Sequence, residues 1–531
     1  MLKQITMIRK LSIVTCLALT FFSCTKNFSK INVNPTAPAS VPLDYLLAQV
    51  QLQMAGSAGD PGYTQWRGNF IYSMALMQQF ASLGAFYSGD KYLYSATNDA
   101  SGAYFGTSNG EGNYPNSIKN MVNLIALAKK DSINSVNTLS MARILKVMQM
   151  SIMTDLYGDI PYSEAGLAYL ASNYAPAFDK QSTIYPDMLN ELAQAGAALN
   201  ASSYVATQSD FTYTGDIAKW KHFANSLMLR LAMRLQKVDP TSAQTWVKKA
   251  LDGGVMGSNA ESYIINFGGG SGANSNPNAF NLGPSNAISR GEVLHGNIQW
   301  SQTFINTMKA RNDPRLGQIS TVGSVGVGTG TSLGDTTQAA QKGLPNGLDN
   351  APVGTTIGQY SVMNILTYQD NSPDIILSYA EVEFLKAEAI ERGWYTGSAI
   401  AEYKLGQEAA LKQMASYNAS FAPTPAAVTA YQTTNPYPTA GSMDQKMNQI
   451  QTELWLLFAD TYNGYEAWAD WRRTGFPVLT PVVYPGNASG GAIPRRLIYP
   501  TEQITLDPKG YNQAKTNQGP DLFTTHMWWD K

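Results

Sequence analysis

The stretch 372–417 constrains the fold most, because it has the pattern of two helices joined by a tight turn. A Ser-Pro-Asp sequence at 372–374 is typical of a helix start, and helical spacing of apolar and small residues continues through Glu391. Gly393 then ends the first helix, and a second helix is expected over 398–417. One helical hairpin cannot bury its own apolar face, so further helices have to pack against it.

Amphipathic segments elsewhere supply these further helices. Apolar residues at three- and four-residue spacing predict helices over 41–58, 64–82, 116–130, 138–157, 182–199, 216–238 and 241–251. Several of these segments follow one another across short polar turns, which is typical of antiparallel helical hairpins. The predicted fold class is therefore mainly α, with helix pairs that form a scaffold.

One of these pairs has a recognisable motif. The order of Leu385, Gly393, Tyr395, Ala399 and Tyr403 resembles the tetratricopeptide repeat, a helix-turn-helix unit whose small residues let neighbouring helices pack closely. Lys386 stands where that repeat has Gly, so the unit is degenerate. We therefore expect tetratricopeptide-like helix pairs.

Long irregular segments separate the predicted helices. Insertions rich in Gly, Asn and Ser lie around 83–114 and 260–365. Loops of this length in a compact domain usually carry function or are disordered. A short strand is expected near Tyr263–Phe267, but the pattern does not place it in a sheet. We expect these loops to make a ligand-binding face.

The N-terminus has the features of an export signal. Three basic residues precede an apolar run at 11–22, which is too short to span a bilayer. The run ends at Ser23-Cys24, and a small residue followed by cysteine is typical of the cleavage site of bacterial lipoproteins. Cys24 is therefore the predicted lipidation site. An ordinary secretory signal and an uncleaved membrane anchor are the alternatives.

A polar segment follows the predicted lipidation site. Residues 25–40 are rich in Asn, Pro and Ser and lack helical periodicity, as expected of a flexible tether. The predicted organisation is therefore a signal peptide at 1–23, a lipidated cysteine with an extended tether at 24–45, and a single α-helical domain at 46–531.

Composition limits the classes of partner and chemistry. Only 14% of the 531 residues are charged, against about 25% in a typical soluble chain. Loss of the signal leaves 34 basic and 38 acidic residues, a net charge of −4. A nucleic-acid partner would call for a basic patch, so none is expected. The body that follows Cys24 has no further cysteine for a disulfide, a thiolate nucleophile or a sulfur-ligated metal.

Enzyme signatures are weak. His222, His295 and His526 are the only histidines, and none belongs to a recognisable zinc-binding pattern. Asp155 and Asp159 are four residues apart, and a glycoside hydrolase needs only two suitably spaced carboxylates. The turn residues between and after them favour a structural role in which Asp159 accepts hydrogen bonds from backbone amides. We expect no enzyme activity, no cofactor and no metal.

Two arginine pairs, Arg472-Arg473 and Arg495-Arg496, allow two interpretations. They are suited to clamping an anionic ligand, or to pairing with carboxylates such as Glu466 or Asp470 and so fastening the C-terminal segment onto the helices. The second interpretation is favoured.

Several short motifs together resemble one family. They are NVNP at 32–35, DLYGDIPYSE at 155–164, NDPRL at 312–316, SYAEVEFL at 378–385, EAWADWRRTG at 466–475, IPRRLIYP at 493–500 and WWDK at 528–531. In this order, behind the lipidation signal, they resemble the SusD/RagB family of nutrient-binding outer-membrane lipoproteins. The resemblance implies a helical, non-enzymatic protein at the cell surface that captures oligosaccharides or peptides for a SusC-type TonB-dependent transporter.

Candidate ligand residues come from the chemistry of sugars. Sugars present flat C–H faces and a rim of hydroxyls, so their sites combine exposed aromatic rings with polar side chains. The segment 86–114 has this composition. The predicted ligand-binding residues are Tyr87, Asp90, Tyr92, Asn98 and Trp300. A peptide ligand would use a similar groove.

A second function remains open from the sequence. A helical-repeat lipoprotein can act as a docking scaffold with no small ligand of its own. Such a module should expose a broad apolar patch, whereas a ligand face should expose clustered aromatic rings.

Overall fold

A computed structural model describes residues 41–56, 64–84, 89–94, 105, 114–270, 274–282, 298–323, 334–349 and 358–531. The chain divides into two units, Met1–Pro42 and Leu43–Lys531. The predicted signal peptide, Cys24 and nearly all of the tether lie outside the described residues. In the second unit, the part that is described is mostly helical, which confirms the predicted fold class.

Eighteen α-helices lie in the described residues. They are α1 Leu43–Met54, α2 Met74–Leu76, α3 Lys119–Ala128, α4 Val136–Tyr157, α5 Ala168–Ala171, α6 Gln181–Ala198, α7 Ile217–Arg234, α8 Pro240–Asp252, α9 Pro277–Leu282, α10 Gln302–Ala310, α11 Leu316–Ile319, α12 Tyr379–Glu391, α13 Ala399–Gln413, α14 Pro425–Thr434, α15 Met443–Asp460, α16 Gly464–Thr474, α17 Thr501–Leu506 and α18 Pro508–Gln518. Two π-helices, Thr64–Ser73 and Tyr114–Ile118, precede α2 and α3. Short 3₁₀ turns lie at Gly89–Lys91, Lys129–Asp131, Asn259–Glu261, Ile365–Thr367, Met414–Ser416 and Ala419–Phe421.

Helix α4 lies at the centre of the packing. Eighteen of its 22 residues are buried, so it is surrounded on nearly all sides. It packs against α3, α6 and α16, while α6 packs on α7 and α7 on α8. These contacts make a continuous series of paired helices in which each buries the apolar face of its neighbour, as the sequence predicted.

The tetratricopeptide-like pair is formed by α12 and α13. Ser378 caps α12 by accepting a hydrogen bond from Glu381 N, and Ser398 caps α13 by accepting one from Ala401 N. Gly406 of α13 faces the ring of Phe384 so closely that a Cβ atom there would lie 2.7 Å from it. This contact is the close helix approach that the motif predicted. Helix α12 also packs on α7 and α15, which joins the pair to the rest of the scaffold.

Two predicted helix boundaries are wrong. The helix expected from 372–374 begins only at Tyr379, because Asp374–Leu377 form a buried strand that pairs antiparallel with Tyr263–Ile265. β-Branched residues favour this extended conformation. The helix expected over 64–82 is a π-helix followed by α2, and it gives way to a strand at Phe80–Ala81.

The strands are short and form four antiparallel pairs. They are β1 Phe80–Ala81 with β5 Gln299–Trp300, β2 Ile160–Pro161 with β3 Phe178–Asp179, β4 Tyr263–Ile265 with β8 Asp374–Leu377, and β6 Ser320–Thr321 with β7 Val362–Met363. The pairs β1–β5 and β4–β8 join segments that are more than 100 positions apart in the sequence. Among the described helices, none combines the length and hydropathy that a membrane span requires.

Candidate ligand-binding face

The predicted ligand residues divide into two groups. Tyr87 and Asn98 lie outside the described residues. Asp90, Tyr92 and Trp300 are described, and each side chain is fully buried. These three side chains hold the loops together in this structure, and contact of Asp90 and Tyr92 with a ligand stays a prediction.

Trp300 lies on β5 and packs inside the protein. Its ring stacks on Phe304 with centroids 4.6 Å apart and contacts Phe80 at 4.9 Å. Its indole N–H donates a hydrogen bond to Ile319 O at 3.1 Å. The ring thus has no exposed face for a sugar in this arrangement. Contact between Trp300 and a ligand stays a prediction, and this packing does not favour it.

Asp90 and Lys91 form a buried ion pair in the 3₁₀ turn Gly89–Lys91. Lys91 Nζ lies 3.2 Å from Asp90 Oδ1 and also donates to Ser82 O at 2.8 Å. Asp90 Oδ2 accepts from Ser82 N at 3.3 Å and from Gly347 N at 3.2 Å. Burial raises the pKa of Asp90, and the ammonium of Lys91 opposes that shift. The pair therefore joins the segment 82–84 to the segment 346–349.

Tyr92 joins a third segment to this pair. Its hydroxyl oxygen accepts a hydrogen bond from Val482 N at 3.2 Å, and its carbonyl accepts one from Ala488 N at 2.8 Å. Burial raises the pKa of the phenol, so the hydroxyl stays protonated. Gly89 allows the turn to pack this closely, because a Cβ there would lie 1.9 Å from Ile71 O. The turn therefore fastens the loop that follows Leu479.

The surface beside this turn carries side chains that the sequence analysis missed. Val483 is 84% exposed and Leu348 is 38% exposed. Tyr484 is half-buried and donates a hydrogen bond to Asp349 Oδ1 at 3.1 Å. We call these four residues the Tyr484 face.

Tyr484 is an aromatic residue among polar groups on a loop, which is the combination that predicted ligand contacts in the segment 86–114. Lys91 Nζ lies 6.0 Å from the centroid of its ring. The ring stands in a stretch of Pro, Gly and Asn residues at 481–491, which is the sequence signal that could have revealed it. The Tyr484 face therefore combines an aromatic ring, a carboxylate and apolar neighbours on loops held by buried contacts, as a sugar site requires.

The paired carboxylates Asp155 and Asp159 have structural roles. Asp155 accepts hydrogen bonds from the hydroxyl of Tyr185 and from Trp529 Nε1, the latter at 2.9 Å. Asp159 Oδ1 accepts from Gln181 N at 2.9 Å and so holds the start of α6. This agrees with the interpretation that favoured backbone contacts for Asp159. No cluster of three or more His, Cys, Asp or Glu side chains suited to a metal occurs among the described residues.

The arginine pairs are engaged inside the protein. Arg473 Nη2 lies 2.6 Å from Asp470 Oδ1, as predicted. Arg472 instead donates to the carbonyls of Asp155 at 2.6 Å and Arg495 at 2.9 Å. Arg495 pairs with Asp530 and Arg496 with Asp521, both at 3.1 Å. These contacts fasten the C-terminal segment onto the helices, as the favoured interpretation of the two pairs expected.

Glu466 has partners other than those predicted. Glu466 pairs with Arg230 and Arg234 of α7. Its Oε1 atom lies 3.4 Å from Nη1 of Arg230. Burial raises the pKa of Glu466, but the two guanidinium groups outweigh that effect and the pKa is lowered. The carboxylate is thus held charged in the interior, where it joins α16 to α7.

Comparison with known proteins adds to this picture. Residues 35–500 match a protein family named SusD-like and described as "Starch-binding associating with outer membrane". A solved structure named a chitin-binding protein is 32% identical over 92% of this chain and all of its own, with a TM-score of 0.77. Comparison with curated proteins returned no significant match.

Two further solved structures share the fold. A SusD-like protein from Bacteroidetes AC2a is 26% identical over 92% of this chain and all of its own, with a TM-score of 0.79. A chitin-binding SusD homologue from Flavobacterium johnsoniae is 24% identical over 92% of this chain and 98% of its own, with a TM-score of 0.72. The family match covers most of the chain, and the helical scaffold agrees with it. The chain belongs to the SusD-like family.

Proposed function

We propose that this chain is a cell-surface lipoprotein that binds a neutral oligosaccharide of the chitin type and delivers it to a SusC-type TonB-dependent transporter. The observation that carries the choice of ligand is the 32% identity, over 92% of the chain, to a protein named as chitin-binding. Members of the family are binding proteins, and we propose that this chain releases its ligand uncleaved.

We place the ligand on the loop surface that includes the Tyr484 face. Support comes from the buried turn at Gly89–Lys91, which holds three segments of that surface together. A preformed surface loses little conformational entropy when a ligand binds. Tyr87 and Asn98 lie on the same stretch of chain as this turn, and we propose that they also contact the ligand.

Binding is tested by isothermal titration calorimetry. The exported chain is purified as the Cys24→Ser variant, which lacks the predicted lipid, and is titrated with chitohexaose, maltoheptaose and a mixed peptide panel. We expect heat of binding with chitohexaose. Binding of maltoheptaose alone would point to a starch-like ligand, and binding of peptides alone would contradict the choice of a glycan.

Matched variants then test the site. Tyr484→Ala should weaken chitohexaose binding by about tenfold, since a ring stacked on a sugar contributes on the order of 1 kcal/mol or more. Tyr87→Ala and Asn98→Ala should act in the same direction. Tyr174→Ala is the control, because Tyr174 is a 79% exposed tyrosine in a different segment. Equal affinities for Tyr484→Ala and the control would remove the Tyr484 face from the site.

The anchor and the transporter need a separate test. Cys24→Ser should release the protein from the outer-membrane fraction of cells, because the proposed lipid anchor is attached to Cys24. The native protein should co-purify with a SusC-type transporter from mild detergent. Co-purification without binding of any glycan or peptide would favour the alternative function, a docking scaffold without its own small ligand.

A further inference from the structure

Three exposed, largely apolar side chains belong to segments that meet at one end of the helical scaffold. Tyr45 of α1 is 67% exposed, and Ile133, in the turn between α3 and α4, is 84% exposed. Tyr204, in the loop that follows α6, is 59% exposed. Single exposed side chains of this kind are ordinary, whereas a group of them at one place marks a surface that binds an apolar partner.

The packing of α1 against α3 brings Tyr45 and Ile133 to the same end. Asn120 Nδ2, at the start of α3, donates a hydrogen bond to Gln53 Oε1, at the end of α1, with a length of 2.9 Å. The two helices pack side by side and run in opposite directions. The start of α1, which carries Tyr45, therefore lies beside the end of α3, where the turn that contains Ile133 begins.

Hydrogen bonds hold Tyr204 at this end as well. Its hydroxyl donates to Asp44 at the start of α1, and its carbonyl accepts from Asn137 Nδ2 at the start of α4, the latter at 3.0 Å. Asn137 also exchanges two hydrogen bonds with the backbone of Asn200, each 2.8 Å long. The loop 200–204 is therefore fixed between the starts of α1 and α4.

Two lysines add positive charge to the same end of the scaffold. Lys129 and Lys130 are exposed in the 3₁₀ turn that continues α3. The carboxylate of Asp131, which follows them, accepts from Asn134 Nδ2 at 2.9 Å, and that of Asp44 accepts from the tyrosine hydroxyl described above. Long lysine side chains can lay their methylene groups along an apolar surface while the ammonium reaches outward.

The proposed lipid anchor is attached a short distance along the chain from this end. Only 18 residues, 25–42, separate Cys24 from Leu43, the first residue of α1. A flexible chain of that length has a root-mean-square span of about 23 Å. A compact domain of this size has a radius of gyration of about 23 Å, and so a diameter of roughly 60 Å. The end of the domain at which α1 begins is therefore the part nearest to a membrane that holds the lipid.

The chemistry of this end suits the boundary between lipid headgroups and acyl chains. Tyrosine rings are enriched at that boundary, because one side of the ring is apolar and the hydroxyl reaches water. Isoleucine favours the apolar side, and lysines are attracted to lipid phosphates. We call this set of residues the α1-end surface; it consists of Tyr45, Lys129, Lys130, Ile133 and Tyr204.

We infer that the α1-end surface lies against the lipid headgroups of the membrane, with Tyr45, Ile133 and Tyr204 in the interface. The inference rests on the proposed lipid anchor at Cys24. Lipid-anchored proteins are held stably when a second signal adds to the acyl chains, and this surface supplies such a signal. The contact also fixes the orientation of the domain above the bilayer, which a tether alone would leave free.

The test uses the full lipidated chain in vesicles of phosphatidylethanolamine and phosphatidylglycerol. The proposed lipid occupies the thiol of Cys24, and the other cysteine lies in the predicted signal peptide, so Ile133→Cys supplies a single free thiol for a bimane label. A lipid with a nitroxide on its headgroup quenches the label where the two meet. The control label is placed at Tyr174→Cys, since Tyr174 is 79% exposed. Its segment begins at Gly166 beside Lys119, at the opposite end of α3.

We expect quenching at Ile133→Cys to be at least about threefold stronger than at Tyr174→Cys, because only the first label lies at the interface. Adding Tyr45→Ser and Tyr204→Ser should reduce the quenching at Ile133→Cys to near the level of the control. These exposed substitutions should leave the heat of chitohexaose binding unchanged, and circular dichroism checks that the variants fold.

Four results would overturn the membrane contact. Equal quenching at the two labels would exclude it and leave the proposed anchor and glycan binding standing. Quenching at Ile133→Cys that persists without the two tyrosine rings would come from the tether alone. Shielding of the label only when a SusC-type transporter is present would assign the surface to the transporter. Failure of the chain to float with the vesicles would overturn the lipid anchor, and the membrane contact with it.

Discussion

Arg473 and Glu388 form a bidentate ion pair that is completely buried. The two bonds, Nη1 to Oε1 and Nη2 to Oε2, measure 2.6 and 2.8 Å, and they join α16 to α12. Arg392 and Gln451 also contact the carboxylate, at 2.8 and 2.7 Å. Burial raises the pKa of Glu388, but Arg473 and Arg392 outweigh that effect and lower the pKa to about 2. Every oxygen of the carboxylate therefore has a partner.

Removing one member of this pair should be costly. Arg473→Ala leaves Glu388 with an incomplete set of partners in the interior, and we expect a loss of about 3–5 kcal/mol in the free energy of unfolding, measured in urea. Lys248→Ala is the control, because Lys248 pairs with Asp252 on the surface and such pairs contribute little. Equal midpoints for the two variants would contradict this account of the pair.

The pH dependence of stability should reflect the titration of a second buried carboxylate, that of Asp374. Burial raises the pKa of Asp374 to about 7. The unfolded chain releases that proton near pH 4, so the contribution of Asp374 to stability should fall as the pH rises from about 4 to about 7 and then level off.

Asp374→Asn removes this titration. The variant should match the wild type at pH 4 and exceed it above pH 7, by up to about 4 kcal/mol for a shift of this size. Urea unfolding at pH 4, 6 and 8 measures the difference. A constant difference across the three pH values would contradict the titration of Asp374.

Close packing in the tetratricopeptide-like pair can be tested at Gly406. Gly406→Ala places a Cβ 2.7 Å from the ring of Phe384, and we expect the crowding to cost about 1–3 kcal/mol in the free energy of unfolding. Phe384→Leu in the same chain should make the alanine less harmful, because the two changes act on one contact. Additive effects of the two substitutions would show that the crowding is relieved elsewhere.

Trp300→Ala should lower the stability of the folded protein. The indole is fully buried and donates to Ile319 O, so its removal should cost about 3–5 kcal/mol. Thermal unfolding measures this loss, and titration with chitohexaose at a temperature where the variant is still folded separates it from binding. A variant that keeps its stability but loses its affinity for chitohexaose would show that Trp300 belongs to the ligand site.

Local signals in the sequence predicted α4, α6, α7 and the pair α12–α13, whereas α15 and α16 were not predicted. Gly393 predicted the turn between α12 and α13, because helix termination depends on neighbouring residues. The strand Asp374–Leu377 escaped prediction because its partner, Tyr263–Ile265, lies more than a hundred positions earlier. Pairing at such a distance leaves no trace in the local pattern.

The candidate site was harder to predict for the same reason. Tyr92 and Trp300 were chosen because aromatic residues in loops are often exposed, yet each is enclosed by segments that are distant in sequence. The partners of Glu466 come from α7, more than 230 positions earlier. Tyr484 was missed because its stretch of Pro, Gly and Asn residues is much shorter than the insertions around 83–114 and 260–365, where the ligand face was expected.

The hydrogen bond between Trp529 and Asp155 has a consequence for the order of folding. Asp155 lies near the end of α4, which has 18 of its 22 residues buried, and one of its hydrogen-bond donors is Trp529 near the C-terminus. Until that segment docks, the central carboxylate lacks one of its donors. We therefore expect the interior to complete its native hydrogen bonds only after the C-terminal segment has docked, since contacts distant in sequence form late.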